Sequence, residues 1–579
     1  MLHKLLHRST SQSFRATWLW FGLSLIVPIY FGIAYLQEAF SAPYLVQDDV
    51  RQHVVWFQRW VDPELFQNDL IADYFQAIAP PGFKALYVGM ARLGIEPLLL
   101  AKLLPPVIGV LAAVFAFGVT LQLFAVPAGA FVSSLILTQS LWLGSDLVSA
   151  TSRAFPVVLL LAFLYFLLNR EAKPFIWTSL IPCLLAIALQ GLFYPILLPV
   201  EGGVLTLRLV RWEHQRLRRS PDRRDDLFWL TGLAVALGTL AIAHPNLGEL
   251  GPTVTAAQMV WMPEFQADGR GAFFNVPFWQ RWLVSNRGIS PPFYPTTIWL
   301  SLLLPTLIKR RFPLTQHLSQ EIKVLVELLI PSVVLFTLAH LLLLRLYFPS
   351  RHTQHSLRVV MALAAGIVAT ILLETGRRWL LRQRWHRLRW WQYGAIAAVG
   401  LFAIASVVVP GIPLVFHSGH VLVQGQVPEL YEFLANQPKT IRVASLASEA
   451  ENLAVFSQRS VLTAREYALP FHLGYYNRIR LRTVDLLRAH YSPDLSELQQ
   501  FIQTYTIDFI LLQRGAFRPD YVANNSWLMQ YQPEANQAIE RLNQPERPAL
   551  ARLINQCSVL NVNNLVLLEA NCITGAQPQ

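Results

Sequence analysis

Long apolar runs separated by short charged stretches fill the first 410 positions, and polar and apolar residues mix evenly after Pro410. Runs of about 17 or more apolar residues can each cross a hydrocarbon core some 30 Å thick as a helix. The pattern predicts eleven spans, at approximately 16–37, 98–123, 127–144, 154–169, 175–190, 192–209, 227–244, 293–308, 324–344, 358–375 and 392–410. Phe75–Gly94 is ambiguous, because it carries Pro80-Pro81 and Lys84. Counting it as a span reverses the side of every later loop. It is therefore read, with the amphipathic stretch Val50–Trp60, as helices lying on the outer membrane surface.

Charge supports that choice. Arg208, Arg211, Arg216, Arg218, Arg219, Arg223 and Arg224 follow the sixth span, Lys309, Arg310 and Arg311 the eighth, and Arg377, Arg378, Arg382, Arg384, Arg387 and Arg389 the tenth. The weaker Arg170/Lys173 pair follows the fourth. All fall on the side of the basic N-terminus (His3, Lys4, His7, Arg8, Arg15), as cytoplasmic loops should. The run Ala16–Leu36 exceeds a signal-peptide core and reads as a retained first span. Residues 1–410 thus form a transmembrane domain with a first outer loop at 38–97, and 411–579 an extracytoplasmic α/β domain. In that domain Ile441–Leu446 and Asp508–Leu512 read as strands, and Pro470–His490 and Leu495–Thr504 as helices.

Composition changes the picture in two respects. Hydrophobic residues make up 54% of the chain and charged ones 14%, against roughly 25% charged in soluble proteins. The formal charge of +12 sits in the inter-span clusters rather than on a basic, aromatic-laced stripe, which argues against nucleic acid. Among three cysteines, Cys183 lies within a span, while Cys557 and Cys572 flank a hairpin about Asn563-Asn564. They stand opposite one another there, as a disulfide or as two buried thiols.

Candidate chemistry gathers in the outer loops. Asp48 and Asp49 open the first, with His53 four residues beyond Asp49 on the same helical face. A carboxylate there serves as general base toward an acceptor hydroxyl, binds a divalent cation, or caps the helix starting at Val50. Asp146 and Arg153 lie in a short second loop, as interfacial charges of functional interest or as a pair that closes the loop. The loop after the ninth span holds Arg345, Arg351, His352 and His355, a cationic set suited to phosphate or to interfacial anchoring. Glu264 and Asp268, in the aromatic-rich loop 245–292, are secondary candidates. Nothing matches a phosphate-binding glycine loop, a zinc cluster or a serine triad.

An acidic pair after the first span (Asp48-Asp49), a second acidic position after the third (Asp146) and an odd span count resemble the GT-C superfamily of membrane glycosyltransferases. The resemblance implies a sugar donor on a polyprenyl phosphate or pyrophosphate, an unidentified acceptor, and a bacterial plasma membrane location. It makes Asp48, Asp49 and Asp146 catalytic, with Asp49 and Asp146 as ligands of a divalent ion (Mg or Mn) where one is used. It gives the donor phosphate to Arg345 and Arg351, with His352 and Arg153 near. Two features of the oligosaccharyltransferase pattern are missing: Asp146 stands outside any Asp-x-Asp, and the C-terminal domain has no Trp-Trp-Asp. Two rival readings use the same segments, a transporter or flippase of a lipid-linked or anionic solute, and a noncatalytic scaffold of GT-C type.

Overall fold

A computed structural model describes residues 14–382 and 422–577, except 214–215, 245–246, 275–276, 278, 285–286 and 310–311, together with Gly394 and Gly400. Six described helices are long and apolar enough to cross a membrane: Phe14–Ala39, Pro97–Leu123, Ile176–Phe193, Arg223–Ala243, Gln320–Leu341 and Ser350–Trp379. The protein is a multi-pass membrane protein. The expected count of eleven is not reproduced. Pro127–Trp142 and Pro156–Leu168 are helices of 16 and 13 residues, short of the roughly 20 that a perpendicular span needs. The run 192–209 breaks at Tyr194-Pro195 into a 3₁₀ turn and the 11-residue helix Leu198–Arg208. The run 293–308 is largely 3₁₀, and 392–410 lies outside the described residues apart from Gly394 and Gly400.

Two helices form the middle of the bundle. Ser350–Arg382 has 78% of its most apolar stretch buried, and Pro127–Trp142 is buried on nearly every side against it, Pro97–Leu123 and Phe14–Ala39. Small residues allow the approach: a Cβ on Gly366 would lie 2.4 Å from the Ser133 backbone, and the Ser133 hydroxyl donates to the Leu363 carbonyl at 3.0 Å. Phe14–Ala39 instead turns Trp18, Leu19, Ile26, Ile29 and Ile33 outward, the surface expected toward lipid.

Two of the arginines that the sequence assigns to one side, Arg170 and Arg208, meet through Glu321. Arg170 pairs with Asp225 and Glu321, both at 2.9 Å, and Arg208 with Glu321 at 2.8 Å and Glu327 at 2.9 Å. Arg153 stands at the opposite end of Pro156–Leu168, about 20 Å away at 1.5 Å per residue.

The C-terminal domain is built on a five-stranded mixed sheet of β5 (Arg442–Ser445), β6 (Ser460–Val461), β7 (Phe509–Gln513), β8 (Ser558–Val562) and β9 (Leu565–Glu569), in the order β6-β5-β7-β9-β8. Both expected strands and both expected helices are present, the latter as Leu473–Tyr491 and Leu495–Tyr505. Cys557 and Cys572 are disulfide-bonded across the β8–β9 hairpin.

Alternation along these strands links the domain to the first loop. Ala444, Ile510, Leu512, Val566 and Leu568 face a core made within the domain. Val443, Phe509, Leu511, Leu565 and Leu567 face a core shared with Val50, Val54, Val55, Trp56, Phe57, Tyr74 and Phe75 of the first loop. A two-stranded pairing of β1 (Leu45–Gln47) with β4 (Leu422–Gln424) ties the loop in further. Most of Val50–Trp60, from Val50 to Gln58, is therefore interior to the protein rather than a surface helix, and Trp60 at its end is exposed. Its apolar face is buried by sheet side chains, and Trp56 packs edge-on against Tyr467 at 5.3 Å. The ambiguous segment forms the helices Leu70–Ile78 and Pro81–Arg92, separated at the Pro80-Pro81 step.

Candidate functional site

The short helix Asp48–His53 starts where β1 ends, and Gln47 caps it: its side-chain oxygen accepts the Asp49 N–H at 2.8 Å. Neither aspartate is spent on capping. Asp48 turns to Arg51 on its own helix, and Arg51 also donates to Asn452 at 2.7 Å and lies 3.8 Å from Glu451. Asp49 turns the other way. Its Oδ2 accepts from Arg153 Nη1 at 2.8 Å, and its Oδ1 has no hydrogen bond among the described residues.

The Gly144–Arg153 loop is shaped from within. The Ser149 hydroxyl donates to the Asp146 carbonyl at 2.7 Å, and Ala150, held at φ +50°, presents its carbonyl to the Tyr87 hydroxyl at 2.8 Å. That last bond fixes the second loop against the first. Asp146 is buried with both oxygens engaged: Oδ1 by Arg153 Nη2 at 2.6 Å, Oδ2 by Gln354 at 2.6 Å and Arg358 at 3.3 Å. Burial alone would raise its pKa. Arg153, His355, Arg358 and Arg351 outweigh it and hold the carboxyl well below the usual range.

One guanidinium thus joins two carboxylates from separate loops, and the Asp146–Arg153 pair does more than close a turn. Around it stand buried polar atoms without hydrogen-bond partners among the described residues: the Tyr194 hydroxyl, both ring nitrogens of His355, and the Nε atoms of Arg153 and Arg358. The Tyr194 and His355 rings meet edge-on at 5.4 Å. Buried groups of this kind demand a polar partner. Among the described residues the Arg351 guanidinium donates only to Gln354, at 3.4 Å, and pairs with no carboxylate.

His53 packs on Phe75 at 5.4 Å, within the field of Asp49 and of Arg153, Arg270 and Arg351. Burial lowers its pKa to about 4; Asp49 opposes the shift and the three arginines add to it. From the C-terminal domain, Glu466 pairs with Arg270 and accepts from Gln52 through its backbone carbonyl at 2.6 Å. Burial pushes its carboxyl up to about 7 against Arg270, with Asp48 and Glu451 raising it further.

Other sequence candidates lie apart. Arg345 is exposed and has no ion pair among the described residues. His352 is anchored to the Leu346 carbonyl at 2.8 Å. Glu264 is buried against Tyr476 and Arg480, at 3.0 and 2.9 Å, and fastens its loop to the C-terminal domain. Asp268 is exposed and contributes its backbone carbonyl to Gln530 at 3.3 Å.

No family model and no curated protein matches the chain. Solved structures do. The oligosaccharyltransferase of Archaeoglobus fulgidus, tethered with an acceptor peptide containing the NVT sequon, superposes with a TM-score of 0.50 over 89% of this chain and 72% of that one, at 12% identity. The fold is that of this oligosaccharyltransferase. The chain is also similar to the same organism's AglB in complex with an inhibitory peptide and a dolichol-phosphate (TM-score 0.45, 12% identity, 89% and 72% covered). Mycobacterial arabinofuranosyltransferase AftD matches with a TM-score of 0.48 at 12% identity, over 86% of this chain and 36% of its own.

Sequence reasoning missed several groups that the fold brings to Asp48, Asp49 and Asp146. Arg358 had a signal, as a charge at the head of an apolar run. Arg51, Gln354 and Glu466 had none; only the shared core and the helix packing bring them in.

Proposed function

We propose that the chain is a membrane glycosyltransferase that moves a sugar from a polyprenyl-phosphate-type donor to an acceptor on the outer face of a bacterial plasma membrane. The observation that carries this reading is the open Oδ1 of Asp49, on a carboxylate fixed by Arg153 beside the unpaired Arg351, within a GT-C fold.

Asp49 acts as general base. It takes the proton of the acceptor as the acceptor oxygen or nitrogen bonds to the anomeric carbon and the bond from that carbon to the phosphate oxygen breaks. Arg351 binds the departing phosphate, whose negative charge grows during this step, and the unpartnered Tyr194 and His355 supply neutral hydrogen-bonding groups nearby. Asp146, with both oxygens engaged, orients Arg153 and takes no proton. Arg345 and His352 have no part in this arrangement.

Purified protein in lipid nanodiscs, given hexosyl and pentosyl polyprenyl phosphates with a panel of hydroxyl acceptors, tests the reading. Release of polyprenyl phosphate by the wild type and not by Asp49→Asn supports transfer. In sealed vesicles, movement of intact donor between leaflets without release indicates a flippase and overturns it.

A further inference from the structure

Two carboxylates brought face to face from different loops ordinarily hold a cation between them. Asp49 and Asp146 meet this description, and a guanidinium already fills the position. Arg153 gives Nη1 to Asp49 at 2.8 Å and Nη2 to Asp146 at 2.6 Å, the two-pronged geometry for which its planar fork is suited.

The donor set that remains is poor for a divalent ion. Both oxygens of Asp146 are taken, which leaves only Asp49 Oδ1 facing outward. No cluster of three or more His, Cys, Asp or Glu side chains fit to hold a metal occurs among the described residues. The charge is already balanced: two carboxylates face two guanidiniums, Arg153 and Arg358, and Arg351 adds a third positive charge close by. A doubly charged ion would enter a field that is neutral to positive.

We propose that Arg153 stands in the place of a divalent cation, as a built-in charge that sets Asp49 and Asp146 without a metal. Arg153 is then a positioning residue. It fixes Asp49 through Oδ2 and leaves Oδ1 open, and Asp146, itself held by Gln354 and Arg358, fixes Arg153 in turn. The purpose assigned to the pair rests on the transferase reading, but the test below reads metal binding and needs no sugar substrate.

Protein stripped with EDTA is titrated with Mn²⁺, and free Mn²⁺ is followed by electron paramagnetic resonance. The wild type is expected to show no site of unit stoichiometry at submillimolar metal. Arg153→Ala, which frees one oxygen on each carboxylate, is expected to gain one Mn²⁺ per chain and to lose it when Asp49→Asn is added. A purely structural role for Arg153 would lower stability without creating a metal site. Stoichiometric Mn²⁺ binding by the wild type that disappears in Asp49→Asn overturns the proposal, and this arm does not depend on how the Arg153 variant folds. A folded Arg153→Ala protein that binds no Mn²⁺ overturns it as well. Absence of sugar transfer in every preparation would count against the transferase reading and leave the metal result standing.

Discussion

Arg153 and Asp49 are 104 residues apart in the chain and 2.8 Å apart in space. Their contact joins the loop after the first span to the loop before Pro156–Leu168, at the end of the bundle where the C-terminal domain sits. The second prong of Arg153, on Asp146, makes the contact rigid.

A base held in this way is expected to matter for turnover and little for folding. Asp49→Asn keeps the shape and loses the proton acceptor, so the rate of polyprenyl phosphate release should fall roughly 10²–10⁴-fold. The thermal midpoint should stay close to wild type, since Asp49 is partly exposed. Glu466→Gln should cost much less. An equal loss in the two variants would move the base to Glu466 of the C-terminal domain.

Asp146 should behave in the opposite way. Asp146→Asn leaves Arg153 and Arg358 facing each other without a carboxylate between them, in a site where the Asp146 side chain is 6% exposed. Breaking a buried pair from one side costs about 3–5 kcal/mol. A large drop in the thermal midpoint of the detergent-solubilised protein is expected, along with lost activity. An unchanged midpoint would mean that the two guanidiniums find other partners.

Arg351 separates binding from folding. Arg351→Ala removes a cation with no carboxylate partner among the described residues, so stability should hold while KM for the donor rises. Arg345→Ala, at an exposed position outside the cluster, should leave KM unchanged. Steady-state kinetics on the two variants side by side checks both expectations.

His53 gives a pH dependence with a defined sign. Its pKa falls from 6.5 unfolded to about 4 folded, so between these values the unfolded chain binds the extra proton. Stability from this group is complete above pH 6.5 and is lost as pH falls toward 4. Melting curves at pH 7 and pH 5 should show a smaller acid-induced drop for His53→Gln than for the wild type. Equal drops would show that His53 does not titrate in this window.

The disulfide closes a segment of 15 residues at the edge of the sheet. Loop-closure entropy assigns it about 3 kcal/mol, and the Cys557→Ser/Cys572→Ser double variant should melt correspondingly earlier. A midpoint unchanged by the replacement would mean that β8–β9 pairing alone holds the hairpin.

The sequence by itself determined the membrane character, the placing of Arg170 and Arg208 on one side, the principal strands and helices of the C-terminal domain, and three candidates, Asp49, Asp146 and Arg153, that the fold brings into contact. These follow from local rules: apolar length, positive charge at span ends, period-two alternation, and the cost of placing a charge near lipid. Tertiary structure decided the rest. Hydropathy does not tell lipid contact from protein contact, so the largely buried stretch Val50–Trp60 read as a surface helix, and the fully packed Pro127–Trp142 read like its lipid-facing neighbours. Loop proximity is not a local property either. Arg153 was legible as a partner of Asp146, seven residues away, but its bond to Asp49 exists only because Tyr87 pins one loop to the other and the sheet buries the first loop from beneath. Glu264, a secondary candidate among aromatics, is likewise placed by long-range contacts, buried against Tyr476 and Arg480. Long-range packing brought three candidate charges, Asp49, Asp146 and Arg153, into one cluster, because a guanidinium fork is satisfied only when both of its carboxylates are delivered to it at once.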